Sequence, residues 1–149
     1  NDAVVNPIGL KVAAYYGPYM QKEGSCSGDD PFMPTYMEQL IIALGGTPVE
    51  YDLKCQSVGA PSLLTLEKPV MSLIASVISD AKTEGASLIA SACTLSHTVL
   101  DIYQGKASRQ TGISTNIPVI HLTELLAFAF GHHNNRLAQL KTRVAVIGD

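Results

Sequence analysis

The chain has 149 residues, 46% of them apolar and 15% charged, with a formal net charge of -3 at pH 7. That is the length of one domain with enough apolar material for a sizeable core. The absence of a basic run and the few aromatics argue against nucleic acid as a partner, and every apolar run is too short for direct membrane insertion. A low share of charge also implies surface covered by another domain or subunit. The first ten residues, NDAVVNPIGL, show neither the charged start nor the apolar run of a secretory signal, and read as a linker into a strand. Cys26, Cys55 and Cys93 are odd in number and widely spread, which suits a reducing, cytoplasmic setting better than a disulfide framework. No two have metal-knuckle spacing, and three thiols cannot fill a four-sulfur site.

In chain order, Lys11–Tyr16 (KVAAYY) reads as a buried strand stopped by Gly17-Pro18. Gly24–Pro34 reads as a loop, and Pro34 opens a helix with Met37, Leu40, Ile41 and Leu44 on one face, ended by Gly45-Gly46. Thr47–Leu53 alternates as an edge strand does, with Pro48 at its start. A loop from Lys54 to about Leu66 leads to a long amphipathic helix, Glu67–Glu84, closed by Gly85. Ala86–Ala90 is a short apolar strand running through Ser91-Ala92-Cys93 into a helix over Thr94–Tyr103. Gly105–Thr115 reads as a linker and Ile117–His121 as a fourth strand. Thr123 is the expected N-cap of an apolar helix, Leu125–Phe130, stopped at Gly131, and Arg143–Ile147 reads as a last strand or an extended tail. This alternation predicts an α/β fold: a mostly parallel, Rossmann-like sheet with helices on both faces.

Such sheets gather ligands at the carboxyl ends of their strands. Those ends are Gly17-Pro18, the Lys54–Pro61 loop, Cys93 and His121-Leu122. Cys93 stands where a strand passes into a helix, and the amides there favour a thiolate or an anion. It reads either as a reactive thiol or cofactor ligand, or as a small buried residue at a tight junction. His97 lies one helical turn further on and can face the same way. His121 is a candidate ligand or a structurally satisfied histidine. His132-His133, in the polar stretch GHHNNR, reads as solvated surface, and Asp29-Asp30 either as a paired-carboxylate site or, as neighbouring aspartates in a loop more often are, as cap or turn residues. There is no glycine-rich phosphate loop and no G-x-S-x-G elbow.

Several blocks fall in a telling order: Tyr15-Tyr16-Gly17, Asp30-Pro31-x-x-Pro34-x-x-Met37-Glu38-x-Leu40, then Asp52-Leu53-Lys54 followed by Gly59-Ala60. Cys93-x-x-Ser96-His97-x-x-Leu100-Asp101-x-x-Gln104 comes next, then Ile117-Pro118-Val119 and Leu122-Thr123-Glu124-Leu125-Leu126. Together they resemble the cysteine-rich "CCG" domain found in the B-type subunit of heterodisulfide reductase and in its relatives in succinate dehydrogenase-like and glycolate oxidase-like complexes. The resemblance runs from Lys11 to Gly131 and implies that residues 1–149 are one such domain, the second half of a two-domain protein. It implies an oxidoreductase and electron-transfer setting, with other subunits of a redox complex or a second CCG domain as partners.

In that family five cysteines hold an iron–sulfur cluster. The matching positions here are Pro18, Ser57, Val58, Cys93 and Ser96, so only Cys93 keeps its thiol. Cys55 lies two residues ahead of the lost pair. The expectation is a degenerate site that holds no cluster, with Cys93 as the candidate catalytic thiol through mixed disulfides. The alternative is a non-catalytic assembly domain that keeps only the scaffold. A third reading is a mononuclear zinc or iron site built from Cys93, Cys55 and His97 or His121.

Overall fold

The structure is a computed structural model that describes residues 3–18, 30 and 33–132. Four strands, β1 (Lys11–Tyr15), β2 (Thr47–Val49), β3 (Leu88–Ser91) and β4 (Val119–His121), form one sheet in the order β2-β1-β3-β4. Every pairing is parallel, as expected from strands that alternate with helices. β2 lies at an edge, where a strand can carry Pro48 without losing a ladder hydrogen bond. It is also shorter than its alternating pattern suggested, because the chain turns into a 3₁₀ turn at Asp52–Cys55.

The helices cover both faces. α1 (Tyr36–Ala43) and α5 (Leu122–Ala129) put Met37, Ile41, Leu125 and Ala129 against Val12, Ala14, Tyr16, Leu88 and Ala90. On the other face, α2 (Glu67–Thr83), α3 (Thr94–Ile102) and α4 (Gln104–Thr111) meet Ala13, Tyr15, Ile89 and Val119. The period of two along β1 and β3 thus feeds two separate cores, and both strands are apolar throughout because neither face meets water.

α4 replaces the linker expected over Gly105–Thr115. Its sequence, QGKASRQT, has no apolar stripe to announce a helix, and only Gln104 and Ala107 are buried. Tertiary packing on α2 stabilises it, helped by the Lys106–Glu67 ion pair at 2.8 Å, and Gly112 ends it with φ 74°. At α5 the N-cap is His121, not Thr123. Its imidazole accepts from the Thr123 N–H while Glu124 reaches back to the His121 N–H, a capping box that starts the helix early. The expected Arg143–Ile147 strand lies outside the described residues, as do Cys26, Asp29 and His133.

Ile74 on α2 has no solvent exposure, whereas Leu64, in the loop before α2, is 96% exposed. Ile74→Ala is therefore expected to lower unfolding free energy by about 2–5 kcal/mol, and Leu64→Ala by under ~0.5 kcal/mol. Paired urea melts read the difference.

Candidate functional site

Strand order determines where a site can form. After β1 the chain turns one way, to β2; after β3 it turns the other, to β4. The loops leaving β1 and β3 therefore diverge and open a crevice at their carboxyl ends, the switch point where doubly wound sheets bind ligands. Tyr15, Ser91 and His121 stand in register across this end of the sheet. Gly17-Pro18 and Cys93 lie just beyond the strands, over the crevice.

Cys93 is the N-cap residue of α3 and is 8% exposed. The buried Ser91 holds its turn: Ser91 Oγ accepts from the Cys93 N–H and donates to the Cys93 carbonyl, both at 3.3 Å. Gly17 passes so close that a Cβ there would meet Ser96 Oγ at 3.0 Å, Cys93 Cβ at 3.2 Å and Tyr15 Cε1 at 3.5 Å. With φ 70° as well, this turn suits glycine alone. Tyr15 closes the arrangement from below. Its hydroxyl donates to the Gln56 carbonyl at 2.6 Å, and the Ser96 hydroxyl and Val58 N–H approach the same oxygen. Pro18, Ser57-Val58, Cys93 and Ser96, scattered along the sequence, thus belong to the segments that surround Tyr15.

The other candidates divide. Cys55 packs beside the α1-side core and lines a cleft of about 410 Å³ with Met33, Glu50, Asp52, Lys54 and Asp80. Ser57 turns inward on its own loop and accepts from the Gly59 N–H at 3.2 Å. His97 does not join Cys93 in a ligand set; its ring meets His121 edge-on, with centroids 5.8 Å apart. His121 is largely a capping residue, and its buried Nε2 has no hydrogen-bond partner among the described residues. Asp30 accepts from the Met33 N–H at 3.3 Å, the turn role expected of it, and His132 is exposed.

One polar network carries no signature in the sequence patterns above. Tyr16 donates to Glu38, Glu38 pairs with Lys54 at 2.9 Å, and Lys54 also reaches Glu50 at 3.0 Å. Tyr16 accepts from the Met37 N–H and stacks edge-on with Tyr36. The only hint lay in the motif blocks, since Tyr16, Glu38 and Lys54 each fall in a different one. Burial opposes charge on Lys54, but its hydrogen bonds to Glu38 and Glu50 outweigh this and raise its pKa. Glu38 is only 5% exposed and tolerates burial because it is paired.

An iron–sulfur group of the kind the resemblance implies does not fit these residues. Pro18 and Val58 offer no side-chain donor, the hydroxyls of Ser57 and Ser96 face protein atoms, and Cys93 alone presents sulfur. Between β1 and α3 the space beside Gly17 would not take even a Cβ without crowding Ser96, Cys93 and Tyr15. Among the described residues, no group of three or more His, Cys, Asp or Glu side chains is placed to hold a metal ion. The mononuclear site drawn from Cys93, Cys55 and a histidine is therefore not assembled there. Cys55 packs with the α1-side core, and His97 turns to His121.

The fold defines the class: a doubly wound parallel α/β domain with its switch point between β1 and β3. No family model matches the chain. It is similar to the 8-methylmenaquinol:fumarate reductase membrane anchor subunit of Wolinella succinogenes, 28% identical over 123 residues, which are 82% of this chain and 43% of that protein. It is likewise similar to the B-type subunit of the ferredoxin/F420H2-dependent CoB-CoM heterodisulfide reductase of Methanosarcina acetivorans, 26% identical over 137 residues, 90% of this chain and 46% of that one. A protein of Archaeoglobus profundus, named for its likeness to the same reductase subunit, is 29% identical over 113 residues, 74% of this chain and 38% of its own length. By name these relatives are reductase subunits or resemble one, which supports a redox-complex subunit at the level of family. The chain spans less than half the length of each. Among the described residues no helix is long and apolar enough to cross a membrane.

Burial holds the Tyr15, Tyr16 and Tyr51 hydroxyls well above the ordinary tyrosine value of 10.0. The folded chain therefore keeps phenolic protons that the unfolded chain releases, so this stabilisation is whole below pH 10.0 and is lost as pH rises above it. The raised Lys54 acts in the same direction: its contribution is present below 10.5 and falls away above. Urea midpoints measured from about pH 8 to about pH 11 are expected to hold and then decline, with a shallower decline in Tyr51→Phe.

Proposed function

We propose that the chain is a domain of a heterodisulfide reductase-type electron-transfer complex, with a degenerate cluster site of its own. The observation that carries this reading is convergence. Val58, Cys93 and Ser96, three of the five positions that the resemblance assigns to cluster ligands, lie around Tyr15 at the end of β1, and of the five only Cys93 carries a thiol. Similarity to reductase subunits over most of the chain supports the setting. Partners are then other subunits of such a complex or a second domain of the same kind, in the cytoplasm.

Anaerobic reconstitution with ferrous iron and sulfide tests it. The expected result is no stoichiometric iron or acid-labile sulfide and no cluster absorbance. A stoichiometric cluster would overturn the degenerate site.

A second reading is favoured by the burial of Cys93: the domain supplies scaffold and docking surface, not chemistry. A catalytic Cys93 must reach a disulfide as thiolate, attack one sulfur, form a mixed disulfide and expel the other sulfur as thiolate. The scaffold reading expects Cys93 to react with iodoacetamide more slowly in the folded chain than in a denatured control. A faster rate in the folded chain would restore Cys93 as the redox thiol.

A further inference from the structure

We propose that the Tyr15 hydroxyl is the keystone of the switch-point crevice. It ties the Gln56–Val58 loop and the first turn of α3 to the end of β1, and so keeps Cys93 closed to reagents. The inference rests on the reading that these segments are a vacated ligand cradle. It assigns to a phenol the cross-linking that the resemblance assigns to a cluster.

Three observations carry it. First, Tyr15 has no solvent exposure, and its ring packs in the α2-side core, where a phenylalanine would fill the same space. The hydroxyl is the part that packing alone does not require, and a buried hydroxyl persists only with partners. Second, those partners are remote in sequence: the Gln56 carbonyl, accepting at 2.6 Å, and the Val58 N–H and Ser96 hydroxyl, which approach the same atom. Third, the Gln56–Val58 loop has little else to hold it. Among the described residues its other hydrogen bonds stay local, from the Gln56 N–H to the Leu53 carbonyl, from Gln56 Nε2 to the Ser57 carbonyl, and from the Gly59 N–H to Ser57 Oγ. Val58 is nevertheless 1% exposed, and the Gly17 turn lies against both Ser96 and Cys93. Removing the tie leaves this loop, among the described residues, with local hydrogen bonds and apolar contact.

Tyr51 provides an internal control. It lies in the same core, and its buried hydroxyl donates to the Ala14 carbonyl at 2.9 Å, one residue before Tyr15 on β1 and not to Ser96 or the Gln56–Val58 loop. Tyr15 is a positioning residue in this account: it acts on Cys93 only through Ser96 and the loop.

The test is peptide-resolved iodoacetamide labelling of the metal-free chain, well below its urea midpoint. In Tyr15→Phe, Cys93 is expected to label about tenfold faster than in the unsubstituted chain, the scale of one lost buried hydrogen bond. Ser96→Ala, which removes one partner and keeps the ring, is expected to give a smaller rise. Tyr51→Phe is expected to lower the urea midpoint while leaving the Cys93 rate unchanged. An unchanged rate in Tyr15→Phe, or an equal rise in Tyr51→Phe, would overturn the proposal. Should Tyr15→Phe fail to fold, Ser96→Ala carries the comparison, and a rate no higher than that of Tyr51→Phe refutes it. Labelling needs neither a partner nor a cluster, so iron uptake on reconstitution would sink the degenerate site and leave this comparison standing.

Discussion

β1 is the constraint on which the rest depends. Val12 through Tyr16 have no solvent exposure, because β2 and β3 flank the strand edge to edge and helices close both of its faces. A strand buried on every side can tolerate polar atoms only where they are paired. It ends in two tyrosines, and alternation sends their hydroxyls to opposite faces. Tyr16 anchors the α1 side through Glu38 and Lys54, while Tyr15 anchors the α3 side through Gln56 and Ser96. The Gln56–Val58 loop and the first turn of α3 meet at the Tyr15 phenol.

The two anchors differ in kind. The Tyr16 network joins a phenol, a carboxylate and an ammonium, and the Lys54 ammonium beside Glu38 offsets its loss of hydration. The Tyr15 node is neutral and lies beside a thiol. Burial first, and the neighbouring Cys93 and Cys55 to a smaller extent, disfavour its anion. A neutral node needs no counter-charge. The end of β1 is therefore a hydrogen-bonded junction beside the Cys93 thiol, on a scaffold whose similarity is to reductase subunits.

This chain matches less than half of the length of each. Leu95 and Ile102 on α3 and Leu64 and Leu66 in the loop before α2 leave apolar side chains exposed.

Much of the fold was legible in the residues because two local signals agreed. The apolar runs KVAAYY and ASLIA required strands buried on both faces, and the 3.6-residue period of Glu67–Thr83 required a helix with one covered side. α4 was not legible, since a polar octapeptide becomes a helix only when α2 presents a surface to it. His121 as a cap was hidden as well, because an imidazole accepts from an N–H only once the chain has been bent to bring the two together. For the site, the sequence alone determined which positions lack sulfur and that Cys93 follows a strand. Only the tertiary structure decided that Ser96 and Cys93 leave no room for a side chain at Gly17, that His97 turns to His121, and that one phenol joins the loop to the helix. The reason is physical: strand and helix periods are written in neighbouring residues, whereas a crevice between β1 and β3 exists only through strand order.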